Sequence, residues 1–377
     1  MILAIKGWRF AKGKTLFSLS LFFVLLLGVF RYPDDNIVPS WAFDLILLIL
    51  FLGHLLKYKS LGKLSFPPAV FFSIYAAVSL FSETAVVEIL YVLRPWAYLV
   101  AFAAIATRFT LSESFLEPLI VFILLKYAII LSIYGVYSRP GFFQEINFDL
   151  LLLLLVLLTE TIIRNHFTAS RRNALASKIS VGFIVLGSLS RSGLIAYSLM
   201  FIRAKRFSFL VILMAGLTVL FLFISLMIRP EAGGLDGIDR FIWAKYFWTL
   251  ISADYQVLFL GNHPIKYLPP EVCDEFGQFR YQYLGFEGDR CLSNVFTSHV
   301  LRFPYEFGLI GVSLFYLLLL AVLKRRGLLA SHYFLIVGLL LANGLSVSSL
   351  SSAYSFVGLA YLTSRVNEFR RIAVSAD

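Results

Sequence analysis

NFDLLLLLLVLLTETII, residues 147–163, is an apolar run of 17 residues that stops at Arg164, with Arg171, Arg172 and Lys178 close behind. A helix crossing a bilayer needs about 20 predominantly apolar residues, with a range of roughly 17–25. The run meets the lower limit, and the basic cluster after it has the character of a cytoplasmic loop. Eleven further stretches read the same way, at approximately 15–30, 38–56, 66–82, 86–107, 115–136, 177–190, 192–204, 207–228, 305–323, 329–346 and 350–364. The pair 177–190 and 192–204 is short, each member being less than a bilayer thickness. The first stretch follows Lys6, Arg9, Lys12 and Lys14 as a signal peptide would, but Arg31-Tyr32-Pro33-Asp34-Asp35 follows it in place of a small-residue cleavage site, so it reads as a retained span.

Composition agrees. Of 377 residues 59% are hydrophobic, 15% are charged, and the mean hydropathy is +0.84. A soluble domain has roughly 45–50% apolar and about 25% charged residues. The net charge of +11 does not point to nucleic acid, because the basic residues fall in short clusters between apolar runs. Twenty-one Lys and Arg lie in the loops on one side, against Arg31, Arg139 and Arg191 in the short loops opposite. That asymmetry places both termini in the cytoplasm.

The expected fold class is therefore an all-α polytopic membrane protein of about 12 transmembrane helices. Residues 1–228 carry nine, 229–304 form one large, partly helical extracytoplasmic loop, 305–364 carry three more, and 365–377 form a cytoplasmic tail. The loop is rich in Tyr, Phe and Trp, which argues against disorder. Its Gly237–Ser252 segment reads as an amphipathic helix, lying on the membrane surface or packed on the spans. Cys273 and Cys291 both lie in this loop. An oxidising exterior favours a bridge between them, with two buried thiols as the alternative.

No phosphate-binding glycine loop, dinucleotide fingerprint, serine-nucleophile elbow or metal-ligand spacing is present, so neither cofactor nor metal is expected. Attention falls on charge at the extracytoplasmic boundary, since charge at membrane depth is costly and is usually retained for a function or a partner. Arg191, in Leu189-Ser190-Arg191-Ser192-Gly193, separates two apolar runs almost without a loop. A guanidinium there suits a lipid diphosphate, and equally a carboxylate or water. Arg240 lies three residues before Trp243 on the expected loop helix, and Arg290 and Arg302 are further cations of the loop. His299 and Glu306 stand where the loop re-enters the membrane and are candidates for a general base. Arg94 and Lys126 fall inside predicted spans; Arg94 precedes Pro95, lies six residues after Glu88, and is expected in a buried pair or lining a cavity.

Three segments together resemble the O-antigen polymerase and ligase superfamily. Ser190-Arg191-Ser192-Gly193 is similar to the family's Ser-Arg-[Ser/Thr]-Gly. Asp239-Arg240-Phe241-Ile242-Trp243 followed by Leu260-Gly261-Asn262 is similar to its Arg-x-x-x-Trp helix and glycine turn. Ser298-His299-Val300-Leu301 with Tyr305-Glu306-Phe307-Gly308-Leu309-Ile310-Gly311 is similar to its motif at loop exit. The family's His aligns with Thr297, two residues before His299, and this leans toward polymerase over ligase. The resemblance implies a metal-independent inner-membrane glycosyltransferase with a periplasmic loop, acting on oligosaccharide linked to undecaprenyl diphosphate. It implies diphosphate contacts from Arg191, Arg240, Arg290 and Arg302, and a base at Glu306 or His299. Ser190, Arg94, Trp243 and Tyr281 would line a substrate cavity, and a separate chain-length regulator protein would be a partner. A ligase acting on lipid A–core, and a flippase of lipid-linked oligosaccharide, are the alternatives.

Overall fold

The computed structural model describes residues 41–59, 61–82, 84, 86–106, 116–134, 146–166, 171–188, 190–200, 239–263, 265–276, 286–287, 290–296, 298–345 and 349–376. The quoted run becomes the centre of the molecule. Leu150–Leu158 are all 4% exposed or less, so this helix is covered on every side. A helix that is apolar all round is a buried helix.

In chain order the helices are α1 (Trp41–Tyr58), α2 (Phe66–Ser79), α3 (Val86–Ile105), α4 (Leu116–Tyr134), α5 (Ile146–His166), α6 (Arg171–Gly187) and α7 (Arg191–Leu199). The loop follows with α8 (Asp239–Ala253), α9 (Tyr255–Leu260) and α10 (Pro270–Glu275), then a two-stranded antiparallel hairpin of β1 (Phe286–Glu287) and β2 (Arg290–Cys291). The chain ends with α11 (His299–Arg325), α12 (Ala330–Gly344) and α13 (Ala353–Ala376). The fold is mostly helical, and ten of the twelve apolar stretches expected from sequence coincide with helices; 15–30 and 207–228 lie outside the described residues.

The count of spans is smaller than expected. Among the described residues only Val86–Ile105 and His299–Arg325 are long and apolar enough to cross a bilayer unaided. The shortfall has local causes. α7 has nine residues, and Phe66–Ser79 and Ala330–Gly344 are apolar but short. α13 carries Arg365, Glu368, Arg370 and Arg371. The hairpin also qualifies the all-α expectation.

α13 lies along α5, and small residues set the distance. A Cβ at Gly358 would come 2.7 Å from Leu155 Cδ1, and one at Gly193 on α7 would come 2.5 Å from Leu150 Cδ1. Toward its C-terminus α5 carries Glu160, which accepts from Tyr361 (2.7 Å) and pairs with Arg365 (3.2 Å), all three nearly fully buried. α1 meets α3 through a second polar knot. Arg94 pairs with Asp44 at 3.0 Å and lies over the Tyr91 ring, and Tyr98 donates to Asp44. The partner of Arg94 is thus Asp44, not the Glu88 that sequence proximity suggested; Glu88 accepts from Tyr267 of the loop at 3.4 Å.

The loop has its own core, formed by Trp243, Leu268, Val272, Phe276, Val295 and Phe296 with Tyr305 of α11. Cys273 and Cys291 are disulfide-bonded within it and buried. α8 turns Trp243 into this core and buries Ile251, while Trp248 on the same helix is exposed. The loop is pinned to the helices beneath it by backbone contact. Gly261 (φ +85°) and Gly308 (φ +65°) face each other: a Cβ at Gly261 would stand 2.7 Å from Phe307 Cα, and one at Gly308 2.6 Å from the Gly261 nitrogen. The Asn262 amide donates to the Tyr305 carbonyl at 2.8 Å across the same junction. Only glycine fits a left-handed position with no room for a side chain. Gly261→Ala or Gly308→Ala should each cost at least about 2 kcal/mol from strain and overlap. Gly53→Ala, where nothing lies within 4 Å of the added carbon, should cost nothing or stabilise by about 0.5–1 kcal/mol. Thermal unfolding of the three purified variants checks the contrast.

Candidate functional site

The three sequence segments meet through residues that none of them contains. Ser190 caps α7, accepting from the Gly193 amide at 3.0 Å, and its hydroxyl donates to Asn147 Oδ1 at 2.6 Å. Ser192 reaches the same oxygen at 3.3 Å. Asn147 opens α5, and its carbonyl accepts from Asn343 Nδ2 of α12 at 2.8 Å. Asn343 precedes Gly344, whose carbonyl accepts from Ser298 at 3.1 Å. Gly344 also lets His299 close in, since a Cβ there would stand 3.2 Å from His299 Cβ. A continuous buried polar line therefore runs from the Ser-Arg segment, through Asn147 and Asn343, to the start of α11.

α11 then presents His299, Arg302 and Glu306 at i, i+3 and i+7, a spacing that gives them one face. All three are 3% exposed or less. Glu306 Oε1 accepts from Arg302 Nε at 2.6 Å and from Ser293 at 2.7 Å. Glu306 Oε2, both ring nitrogens of His299 and Asn343 Oδ1 are buried and have no hydrogen-bond partner. Buried polar atoms are nearly always paired, and these four lie along one polar line; Ser79 Oγ, Trp96 Nε1 and the Tyr316 hydroxyl are likewise unpaired elsewhere among the described residues. Below Glu306 the Gly261 turn arrives from the loop, which joins the second sequence segment to the third.

His263, just past that turn, packs edge-on against Tyr75 with ring centroids 4.2 Å apart. Burial pushes its pKa down to about 4, with the backbone at Glu306 pulling weakly the other way. A histidine lowered in the folded state favours the neutral ring. The unfolded chain takes up its proton first as pH falls, so the contribution is full above the ordinary value of 6.5 and is lost between there and about 4. Thermal stability should therefore fall from pH 7 to pH 4.5 more steeply in the parent chain than in His263→Phe, read by melting curves at matched ionic strength.

The remaining candidates are dispersed. Trp243 is buried in the apolar core of the loop. Arg290 is exposed and stands over the Tyr267 ring at 5.5 Å. Arg94 is engaged with Asp44. Arg302 is tied to Glu306 and not open to solvent. Arg191 and Arg240 occupy the first turns of α7 and α8, but their side chains, and Tyr281 altogether, lie outside the described residues. No group of three His, Cys, Asp or Glu side chains capable of holding a metal occurs among the described residues.

Sequence reasoning missed Asn147, Asn343 and Ser293. The signal available was an amide at the edge of an apolar run, which ordinary loop residues also give.

Removing one member of the buried pair leaves the other charge in an apolar surrounding. Arg302→Met should lower stability by about 3–5 kcal/mol, whereas Arg302→Met combined with Glu306→Leu should restore most of that loss. A double-mutant cycle from chemical unfolding decides it. Additive losses would show that the two groups are not coupled.

Scans against protein-family models and against curated proteins return no match to this chain.

Proposed function

We propose that the chain is a polytopic inner-membrane glycosyltransferase, with both termini cytoplasmic, that polymerises oligosaccharide repeat units carried on undecaprenyl diphosphate. The observation that carries this reading is the polar line from Ser190 through Asn147 and Asn343 to His299 and Glu306. It joins two of the segments that carry the sequence resemblance, which lie more than a hundred residues apart.

Membrane residence is supported by the outward faces of the helices. Leu56, Phe81, Val87 and Phe334 are all more than 70% exposed, on four separate segments. Soluble monomers rarely present apolar surface in this abundance, whereas lipid accepts it.

The chemistry follows from the face of α11. An acceptor hydroxyl on one repeat unit approaches Glu306 Oε2, the carboxylate oxygen that nothing else occupies, with His299 one helical turn and more away. Glu306 takes the hydroxyl proton while the oxygen attacks the anomeric carbon of the second glycan. The bond from that carbon to the diphosphate breaks, and undecaprenyl diphosphate leaves with the electron pair. Arg302 and Ser293 hold the carboxylate in place. Arg191 and Arg240 accept the charge that develops on the departing diphosphate, and exposed Arg290 is an outer contact. Energy is already stored in the sugar–diphosphate bond, so no nucleotide is needed.

Purified protein given undecaprenyl-diphosphate-linked repeat unit should yield a ladder of polymer. Arg191→Ala and Arg240→Ala should each reduce polymer by about 10²–10³-fold with melting temperature unchanged. Wild-type ladders from both variants would refute the assignment. Transfer confined to lipid A–core would make the protein a ligase, and absence of any turnover would favour a flippase.

A further inference from the structure

The loop carries an exposed apolar strip that its own core does not use. Trp248 on α8 and Tyr255, Phe259 and Leu260 on α9 are between 53% and 69% exposed. The strip is ordered. Trp248 and Tyr255, with polar tips, come first, and the wholly apolar Phe259 and Leu260 come last, at the turn. Asp254 caps α9 through the Gln256 amide at 2.9 Å, exposed Lys245 lies on α8, and exposed Lys266 follows the turn.

The Gly261–Gly308 junction fixes where this tip sits. The Phe259 carbonyl occupies the space a side chain at Gly308 would need, so α9 lies directly against α11 with no solvent layer between. Its neighbours on α11 are Leu309 and Ile310, which are also exposed. Whatever medium covers those two residues covers Phe259 and Leu260.

Length then fixes the depth. α11 meets its basic end at Lys324-Arg325-Arg326. From Leu309 to Leu323 the helix rises about 21 Å at 1.5 Å per residue. The hydrocarbon layer is about 30 Å thick. With Leu323 at the cytoplasmic boundary, about 9 Å of hydrocarbon remains beyond Leu309, and α9 stands in that layer. The turn is built for it. The Gly261 amide donates to Val257 (2.9 Å), the Asn262 amide to Tyr305 (2.8 Å) and the Asn262 side chain to the Lys266 carbonyl (3.1 Å). The Gly261 and Asn262 amides and the Asn262 side chain are thus paired within the protein, as polar groups at membrane depth must be.

We propose that the tip of the loop, Phe259–Leu260, is inserted among the acyl chains of the bilayer beside α11, with Trp248 and Tyr255 at the headgroup level. This rests on the membrane reading of α11 and is independent of the chemistry assigned to its polar face. The inserted tip seats the polar face at the boundary between headgroups and acyl chains, where a diphosphate attached to a lipid resides.

The test is depth measurement by spin labelling in phosphatidylethanolamine–phosphatidylglycerol nanodiscs. Single variants Phe259→Cys, Leu317→Cys and Lys245→Cys of the full chain, with the native disulfide oxidised, are labelled with a nitroxide. Their collision rates with oxygen and with a water-soluble nickel chelate are then compared. The label at 259 should favour oxygen several-fold over the chelate, as the mid-helix label at 317 does, while the label at 245 favours the chelate. Chelate accessibility at 259 equal to that at 245, with 317 still protected, would overturn the insertion alone. Chelate accessibility at 317 as well would overturn the membrane reading of α11, and the insertion with it.

Discussion

Two stretches of backbone meet with no side chains between them where Gly261 faces Gly308, and the arrangement of loop on helix follows from that meeting. It lets the end of α9 press onto α11 at the point where the latter bends, and it explains why α11 is not one straight rod. Residues 299–307 lie before the bend and carry the polar face. Residues 309–325 lie after it and carry the long apolar stretch. Pro304 adds a missing amide donor in the upper segment, so the helix is weakened where it must turn. The loop core, with its disulfide, then has a fixed base and shares Tyr305 with the helix.

The apolar runs were legible because burial in lipid or protein selects the same residue types over the same lengths. Each run that falls on described residues coincides with a helix, but bounds differ: α13 runs twelve residues past 364, and α6 and α11 each begin six residues before the expected start. The two cysteines and the positions of Ser190, Glu306 and Gly261 were legible as local patterns. Pairings across the chain were not. Arg94 finds Asp44 fifty residues upstream, although Glu88 lies nearer in sequence. Glu160 finds Arg365 over a separation of 205 residues. Asn147 and Asn343 lie within apolar runs and drew no notice there, yet they connect the candidate site. A periodicity reports which face of a helix is apolar; it carries no information on which distant helix will cover it.

The polar groups are grouped and are not spread evenly through the apolar packing. One set joins α1 to α3, one joins α5 to α13, and one runs along the start of α5, α7, α11 and the end of α12. The first two are closed: each guanidinium meets a carboxylate and each carboxylate meets a tyrosine. The third contains acceptors that remain unpaired. Structural polar contacts are ordinarily complete, because an unpaired buried group costs free energy. What distinguishes the third set is that it joins the Ser-Arg segment to the start of α11; unpaired buried atoms also occur elsewhere, at Trp96 and Tyr316 among the described residues.

Glu160 and Arg365 are both nearly fully covered, and neither is charge-compensated until the other has been synthesised. At roughly 5–20 residues per second, the 205 intervening residues take the ribosome about 10–40 s. Throughout that interval Glu160 of α5 is without the Arg365 partner that it has in the fold. The insertion machinery, or a proton taken up temporarily from water, has to shelter it until α13 arrives, so closure of the α5–α13 contact is a late event in the assembly of the helices.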